Sequence, residues 1–185
     1  MFIDEDIHRR TEVSGQHDPL VSGLEPFDDF YRREIRRLVG LAYAVSGSRL
    51  AADDIAQEAM LAAYRKWDEV GRLDSPAGWV RRVVSNQAVS TVRRRIAEAK
   101  GLGRLAARQT VSELPEIPEE SEWIWREVRR LPKRQIQVIA LRYYDQLSLS
   151  EIAEVLDCSK ETANTHLRRA RQTLDRRLEN RGDST

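Results

Sequence analysis

The residues whose types and spacing could do chemistry stand near the end of the chain, in "SKETANTHLRRARQTLDRRL" (159–178). Ala163, Leu167, Ala170, Leu174 and Leu178 recur at intervals of four, three, four and four, an apolar stripe at helical period. On the far side stand Glu161, Thr165, Arg168 and Gln172, flanked by Asn164 and Arg169, with Lys160 and Thr162 in the first turn. These side chains donate and accept hydrogen bonds of the kinds that reach base edges and phosphates in a DNA major groove. The bland alternative is a solvated charged face. His166 lies at the edge of the stripe, where packing or a phosphate contact suits it better than metal ligation.

A helix of this kind needs a partner to hold it. "SLSEIAEVL" (148–156) supplies one, a short helix with Ile152, Ala153, Val155 and Leu156 on its packed side and small Ala153 where a neighbour could cross. Many helix-turn-helix sequences place Gly after that leucine to supply a left-handed residue. Here it is Asp157, one of the few other types that tolerate the conformation. Ser159 is placed to cap the last helix.

Composition points the same way. The 185 residues are 41% hydrophobic and 33% charged with nine Gly and six Pro, which favours amphipathic helices over a sandwich or barrel. The net charge of +1 conceals segregation: acids gather at 4–18 and 113–122, and basic residues crowd 81–108 and 160–181. Two separated basic stretches suggest two contacts with a polyanion. The single cysteine, Cys158, excludes an internal disulfide and a Cys-rich zinc site and reads as a packing residue. No apolar run approaches the roughly 18 residues of a membrane span and no signal peptide is evident, so a cytoplasmic location is expected. Neither a metal-carboxylate cluster, a nucleophile–base pair nor a phosphate-cradling Gly-rich loop emerges, so no cofactor or metal and no enzymatic activity are expected.

The pattern divides the chain into a mobile tail (1–23), a helical domain (24–97), a linker (98–119) and a second helical domain (120–180). In the first domain a long helix is expected over 25–45 and a second from Ser48. On that second helix Ala56, Met60, Ala63 and Trp67 share one face, while Asp54, Glu58, Leu61 and Arg65 point away. Ser75 and Pro76 suit the cap and first position of a third helix reaching about Ala97. Apolar residues on several of its sides (Trp79, Val80, Val83, Val84, Ala88, Val92) predict extensive packing.

"LPKRQIQVIALRYYDQLSLSEIAEVLDCSKETANTHLRRARQTL" (131–174) resembles region 4 of the extracytoplasmic-function (ECF) sigma factors of the sigma-70 family, through Leu131-Pro132, Arg134, Leu141-Arg142, Leu147-Ser148, Glu151-Ile152-Ala153 and Arg169-Ala170-Arg171. That stretch by itself also suits a stand-alone LuxR-type regulator. The first half resembles sigma region 2: Asp53, Asp54, Ile55, Ala56, Gln57 and Glu58 follow its pattern, as do Trp79, Arg82 and Asn86, then Arg93-Arg94-Arg95. Two blocks in order are more specific than either, and no receiver domain of alternating strands and helices precedes the reader.

The resemblance implies an all-α protein of two small domains on a flexible linker that binds RNA polymerase core, through the β′ clamp helices and the β subunit, recognises promoter DNA and opens it. It also leaves room for an inhibitory anti-sigma factor. It implies polymerase contacts from Asp54, Gln57, Glu58 and Leu61. It implies capture of unstacked bases of the start-proximal promoter element by Trp79, Arg82 and Asn86, although a buried anchor is an equal reading of Trp79. The acidic half of the linker (Glu113, Glu116, Glu119, Glu120, Glu122) would sit where RNA later passes; a solvated spacer is the even alternative.

Overall fold

The computed structural model describes residues 24–101 and 119–182; the tail and most of the linker lie outside that range. The described residues form helices without strands: α1 (Phe27–Ser46), α2 (Arg49–Tyr64), α3 (Trp67–Val70), α4 (Pro76–Gly101), α5 (Glu119–Val128), α6 (Lys133–Ile139) running into a π-helical turn (Ala140–Tyr144), α7 (Leu149–Leu156) and α8 (Lys160–Gly182).

Local chemistry sets most of the boundaries. Asp28 and Asp29 lie in the first turn of α1, where its dipole favours anions, and the helix stops at Gly47, whose left-handed φ of 66° lets its N–H reach the Tyr43 carbonyl. The Ser48 hydroxyl then accepts from Ala51 N at 3.3 Å and opens α2. Ser75 does the same for α4, accepting from Gly78 N at 3.0 Å. The face of α2 expected to be covered, Ala56, Met60 and Ala63, is buried, whereas Asp54, Glu58, Leu61 and Arg65 are exposed.

Two boundaries differ from the sequence expectation. Helix α2 ends at Tyr64, and Trp67 opens the separate turn α3. The intervening residues keep its ring on the buried side, 4.8 Å from Phe30 and 5.2 Å edge-on to Phe27, while its indole N–H donates to the Glu25 carbonyl at 3.0 Å. Helix α4 continues to Gly101, four residues into the segment assigned to the linker.

The C-terminal unit follows the sequence closely. Ser148 and Glu151 form a reciprocal capping box on α7: the hydroxyl accepts from Glu151 N at 3.3 Å and the carboxylate from Ser148 N at 2.7 Å. Hydrogen bonding from the Ser148 side chain, then from its backbone N–H, holds the Glu151 carboxyl below its usual pKa. Asp157 takes the left-handed conformation (φ 54°, ψ 60°), and Ser159 caps α8 by accepting from Thr162 N at 3.1 Å. Ala163, Leu167, Ala170 and Leu174 are buried; Leu178 is half-buried, and Cys158 packs against the core.

The units are not separate beads. Their buried side chains form one continuous cluster, to which α1, α2 and α4 contribute from one side and α6, α7 and α8 from the other. At the seam Tyr144 lies on Gly40, where a Cβ would meet its hydroxyl at 1.5 Å, so only glycine admits the phenol. Burial raises the Tyr144 pKa, and the neighbouring Asp145 charge adds to it.

Ser148→Ala removes the cap of α7 and is expected to cost about 1 kcal/mol, read as a lower urea midpoint at unchanged slope. His166 is partly buried; burial, then the charges of Arg134 and Arg169, hold its pKa below the ordinary value. The unfolded chain therefore takes up a proton, from about pH 6.5 downward, that the folded chain refuses. Stability is full above that value and falls with pH until the folded group also titrates. His166→Gln should lose less stability than wild type between about pH 7.5 and about pH 5.5 in urea titrations.

Candidate nucleic-acid and protein interfaces

Helix α8 rests on α6 and α7 through its apolar stripe and turns its other side outward. Lys160, Thr162, Asn164, Arg168, Arg169 and Gln172 are exposed there, and Thr165 is half-buried. Thr162 is tied into the cap, its hydroxyl 3.0 Å from that of Ser159. The face is widened by residues outside the expected set: Arg171 donates to the Tyr143 hydroxyl at 2.7 Å, its guanidinium 5.6 Å from that ring's centre, and Arg142 lies in the adjoining groove with Lys160 and Asn164. Tyr143 could have been suspected from its position off the buried period of α6. A polar face backed by a fixed helix pair can enter a groove and place donors against base edges and phosphates.

A second face lies on α2. Asp54, Gln57, Glu58 and Leu61 are all exposed, and Leu50 and Tyr64 extend the row at helical spacing. Leu50 is 72% exposed, Leu61 46% and Tyr64 57%, so three large apolar side chains stand in solvent among carboxylates. That mixture suits a protein surface better than a nucleic acid, which the acids would repel.

Trp79, Arg82 and Asn86 come together on one side of α4, but they face the C-terminal unit. Arg82 donates through Nε to the Val155 carbonyl at 2.6 Å and through Nη2 to the Glu154 carbonyl at 3.0 Å; Nη1 is 3.7 Å from Asp157 Oδ2. These are the terminal carbonyls of α7, which lack partners within the helix. The Asn86 carbonyl oxygen accepts from Gln137 Nε2 at 2.8 Å, and Trp79 is half-buried beside Arg82 in the crevice between α4 and α7.

Beneath this contact lies a charge cluster the sequence did not reveal. Arg81, almost wholly buried on α4, donates to Glu34 Oε2 on α1 at 3.0 Å and to Asp145 Oδ2 just beyond the π-helical turn. Arg37 ion-pairs with Asp145 Oδ1 and donates to its backbone carbonyl at 2.6 Å. The one available signal was Glu34 itself, a carboxylate four residues from both Phe30 and Leu38 inside an apolar stripe. A parallel tie joins α5 to the end of α1: Arg129 donates to Ala44 O at 3.1 Å and to Glu122 at 2.7 Å. Glu122, expected among the linker acids, is thus engaged in the fold; Glu113 and Glu116 lie outside the described residues, as do the side chains of Glu119 and Glu120.

No described helix is long and apolar enough to cross a membrane. Residues 30–97 match the model of sigma-70 region 2, and residues 121–174 that of sigma-70 region 4. The chain is 30% identical over 163 residues to the ECF RNA polymerase sigma factor SigW of Bacillus subtilis, covering 81% of this chain and 86% of that protein. It is 29% identical to SigM of Mycobacterium tuberculosis, over 92% of this chain and 86% of the relative. Two solved structures share the fold: the sigma factor RpoE in complex with the anti-sigma factor NepR from Bartonella quintana (TM-score 0.61, 20% identity, 83% of this chain and 96% of that one) and CnrH in complex with the cytosolic domain of CnrY (TM-score 0.62, 22% identity, 83% and 87%). With a match on each side of the linker, in family order, the chain belongs to the extracytoplasmic-function group of sigma-70 family RNA polymerase sigma factors.

Proposed function

We propose that this sigma factor divides its work among three faces: α2 binds polymerase, α8 reads the upstream promoter element, and the Trp79 side of α4 takes the opened strand. The observation that carries this reading is the contrast between the two exposed faces. The α2 row combines carboxylates with bare Leu50, Leu61 and Tyr64, while α8 presents arginines and amides around a rigid turn. One is built for a protein and the other for DNA.

On α2, Leu61 supplies the apolar anchor, and Asp54, Gln57 and Glu58 supply acceptors for basic and polar groups on the β′ clamp helices. Region 4 adds the contact with the β subunit. On α8, the early side chains Lys160, Thr162, Asn164 and Thr165 lie nearest the groove floor, and Arg168, Arg169 and Gln172 reach bases or the flanking backbone. Arg82 and Asn86, one helical turn apart on α4, grip backbone and base edge of the unpaired strand, and Trp79 gives a flipped base a surface to stack on. An anti-sigma factor, the partner of RpoE in one solved neighbour, fits as an inhibitor that competes for these faces.

Transcription in vitro from a genomic promoter library, with purified core polymerase plus or minus the chain, tests the reading. New starts that share two spaced motifs support it. Absence of new starts, with tight dimeric binding to duplex DNA in the absence of polymerase, would mean a stand-alone regulator instead.

Two substitutions probe the faces separately. Arg168→Ala should weaken recognition of the upstream element by about 1 to 3 kcal/mol if the guanidinium makes a bidentate base contact, and should mainly lower the salt slope if it binds phosphate. Leu61→Ala should weaken core polymerase binding by about 1 to 2 kcal/mol, measured by fluorescence anisotropy, without changing the thermal midpoint.

A further inference from the structure

Beside the groove-facing side chains of α8 lies a cavity with no role assigned above. It opens where the π-helical turn meets the first turns of α7 and α8, has a volume of about 450 Å³, and is lined by Arg142, Ser148, Ser150, Lys160, Asn164 and Arg171. No carboxylate lines it. Among the described residues Arg142, Lys160 and Arg171 have no carboxylate partner elsewhere, so three cations converge there without a counter-ion. Glu151 on α7 is engaged with the backbone N–H of Ser148 and lines the crevice toward α4 instead. A concave group of uncompensated cations, with hydroxyl and amide donors among them, suits an oxyanion.

Arg171 is held in a particular orientation at one wall. Its Nε donates to the Tyr143 hydroxyl at 2.7 Å, and its guanidinium lies 5.6 Å from the centre of that ring. Tyr143 is 50% exposed, so filling the core does not account for it. A phenol is a neutral acceptor. It fixes the plane of the guanidinium and leaves the full charge and both terminal nitrogens for a ligand, whereas a carboxylate in the same place would cancel that charge.

The geometry points to this cavity as the seat of a DNA backbone phosphate, gripped by Arg171, with Tyr143 as the positioning residue that holds Arg171 ready. The inference deepens, and rests on, the reading of α8 as the duplex reader: base contacts carry sequence, while a phosphate seat fixes how the helix lies in the groove. A guanidinium already oriented loses less freedom on binding than one that is free to turn.

A phosphate contact is blind to sequence, so a fluorescein-labelled duplex of mixed sequence serves as the probe. Five full-length proteins are titrated by anisotropy across a series of KCl concentrations: wild type, Tyr143→Phe, Arg171→Ala, these two combined, and Arg168→Ala with Arg169→Ala. Circular dichroism gives their thermal midpoints. Arg171→Ala should bind about tenfold more weakly. Its plot of log affinity against log salt should be shallower by about 0.9, the loss of one phosphate. Tyr143→Phe should bind about threefold more weakly at the wild-type slope, because the charge remains and only its orientation is lost. In the Arg171→Ala background the same substitution should change nothing, and all midpoints should match wild type.

A wild-type slope in Arg171→Ala overturns the seat. The positioning role falls if Tyr143→Phe binds like wild type, lowers the midpoint, or costs as much without Arg171 as with it. Failure of the underlying reading looks different: if α8 does not meet the duplex, the Arg168→Ala, Arg169→Ala protein also keeps the wild-type slope.

Discussion

The carboxylate of Asp145 is only 1% exposed, and the way the halves of this protein meet depends on it. Removing a carboxylate from water is costly unless cations and hydrogen bonds replace the solvent, and deleting one member of such a group typically costs about 3 to 5 kcal/mol. Arg81 and Arg37 provide that replacement from two different helices, while Glu34 occupies another edge of the Arg81 guanidinium. A seam of Leu and Val alone would tolerate sliding. A carboxylate that must meet α4 and α1 together allows one docking, and that docking presses Arg82 against the end of α7.

How the carboxylate reaches its place follows from the backbone before it. Helix α6 widens into a π-helical turn, closed by a 3.2 Å bond from Asp145 N to Ala140 O, and Gln146 with φ 58° then reverses the chain toward α7. The turn thus delivers Tyr144 and Asp145 to the seam while the capping box at Ser148 restarts the chain as the first helix of the DNA reader. Seam and reader are consecutive in sequence.

What could be read from the sequence was whatever depended on near neighbours. The stripe of α8, the caps at Ser48, Ser75 and Ser159, the left-handed Asp157 and the two opposite faces of α2 are local patterns, and each appears as expected. Trp67 was placed on the correct side although not on the correct helix, because the turn at Arg65 and Lys66 preserves the phase. The charge cluster was not legible. Arg37 and Asp145 are 108 residues apart, Arg81 and Asp145 64 apart, and a lone Arg or Asp in a sequence reads as solvent-facing. The many-sided apolar pattern of α4 signalled extensive packing without saying that the partner would be the second domain. Arg82 and Asn86 were picked out as a pair for DNA, and the same polar chemistry lets the second unit hold them: Arg82 donates to the terminal carbonyls of α7, and the Asn86 oxygen accepts from Gln137.

The faces of α2 and α8 stand open, whereas Arg82 and Asn86 on α4 are hydrogen-bonded to the second unit. The measurement that tests this most directly is the separation of the two units, free and on polymerase. With Cys158 replaced by Ser and spin labels at Arg65 and Asp175, double electron–electron resonance should give a short, narrow distance distribution for the free chain and a longer one once core polymerase is added. The same short distribution in both states would contradict the account, because a seam that stays closed on polymerase could not release Arg82 and Asn86 to DNA.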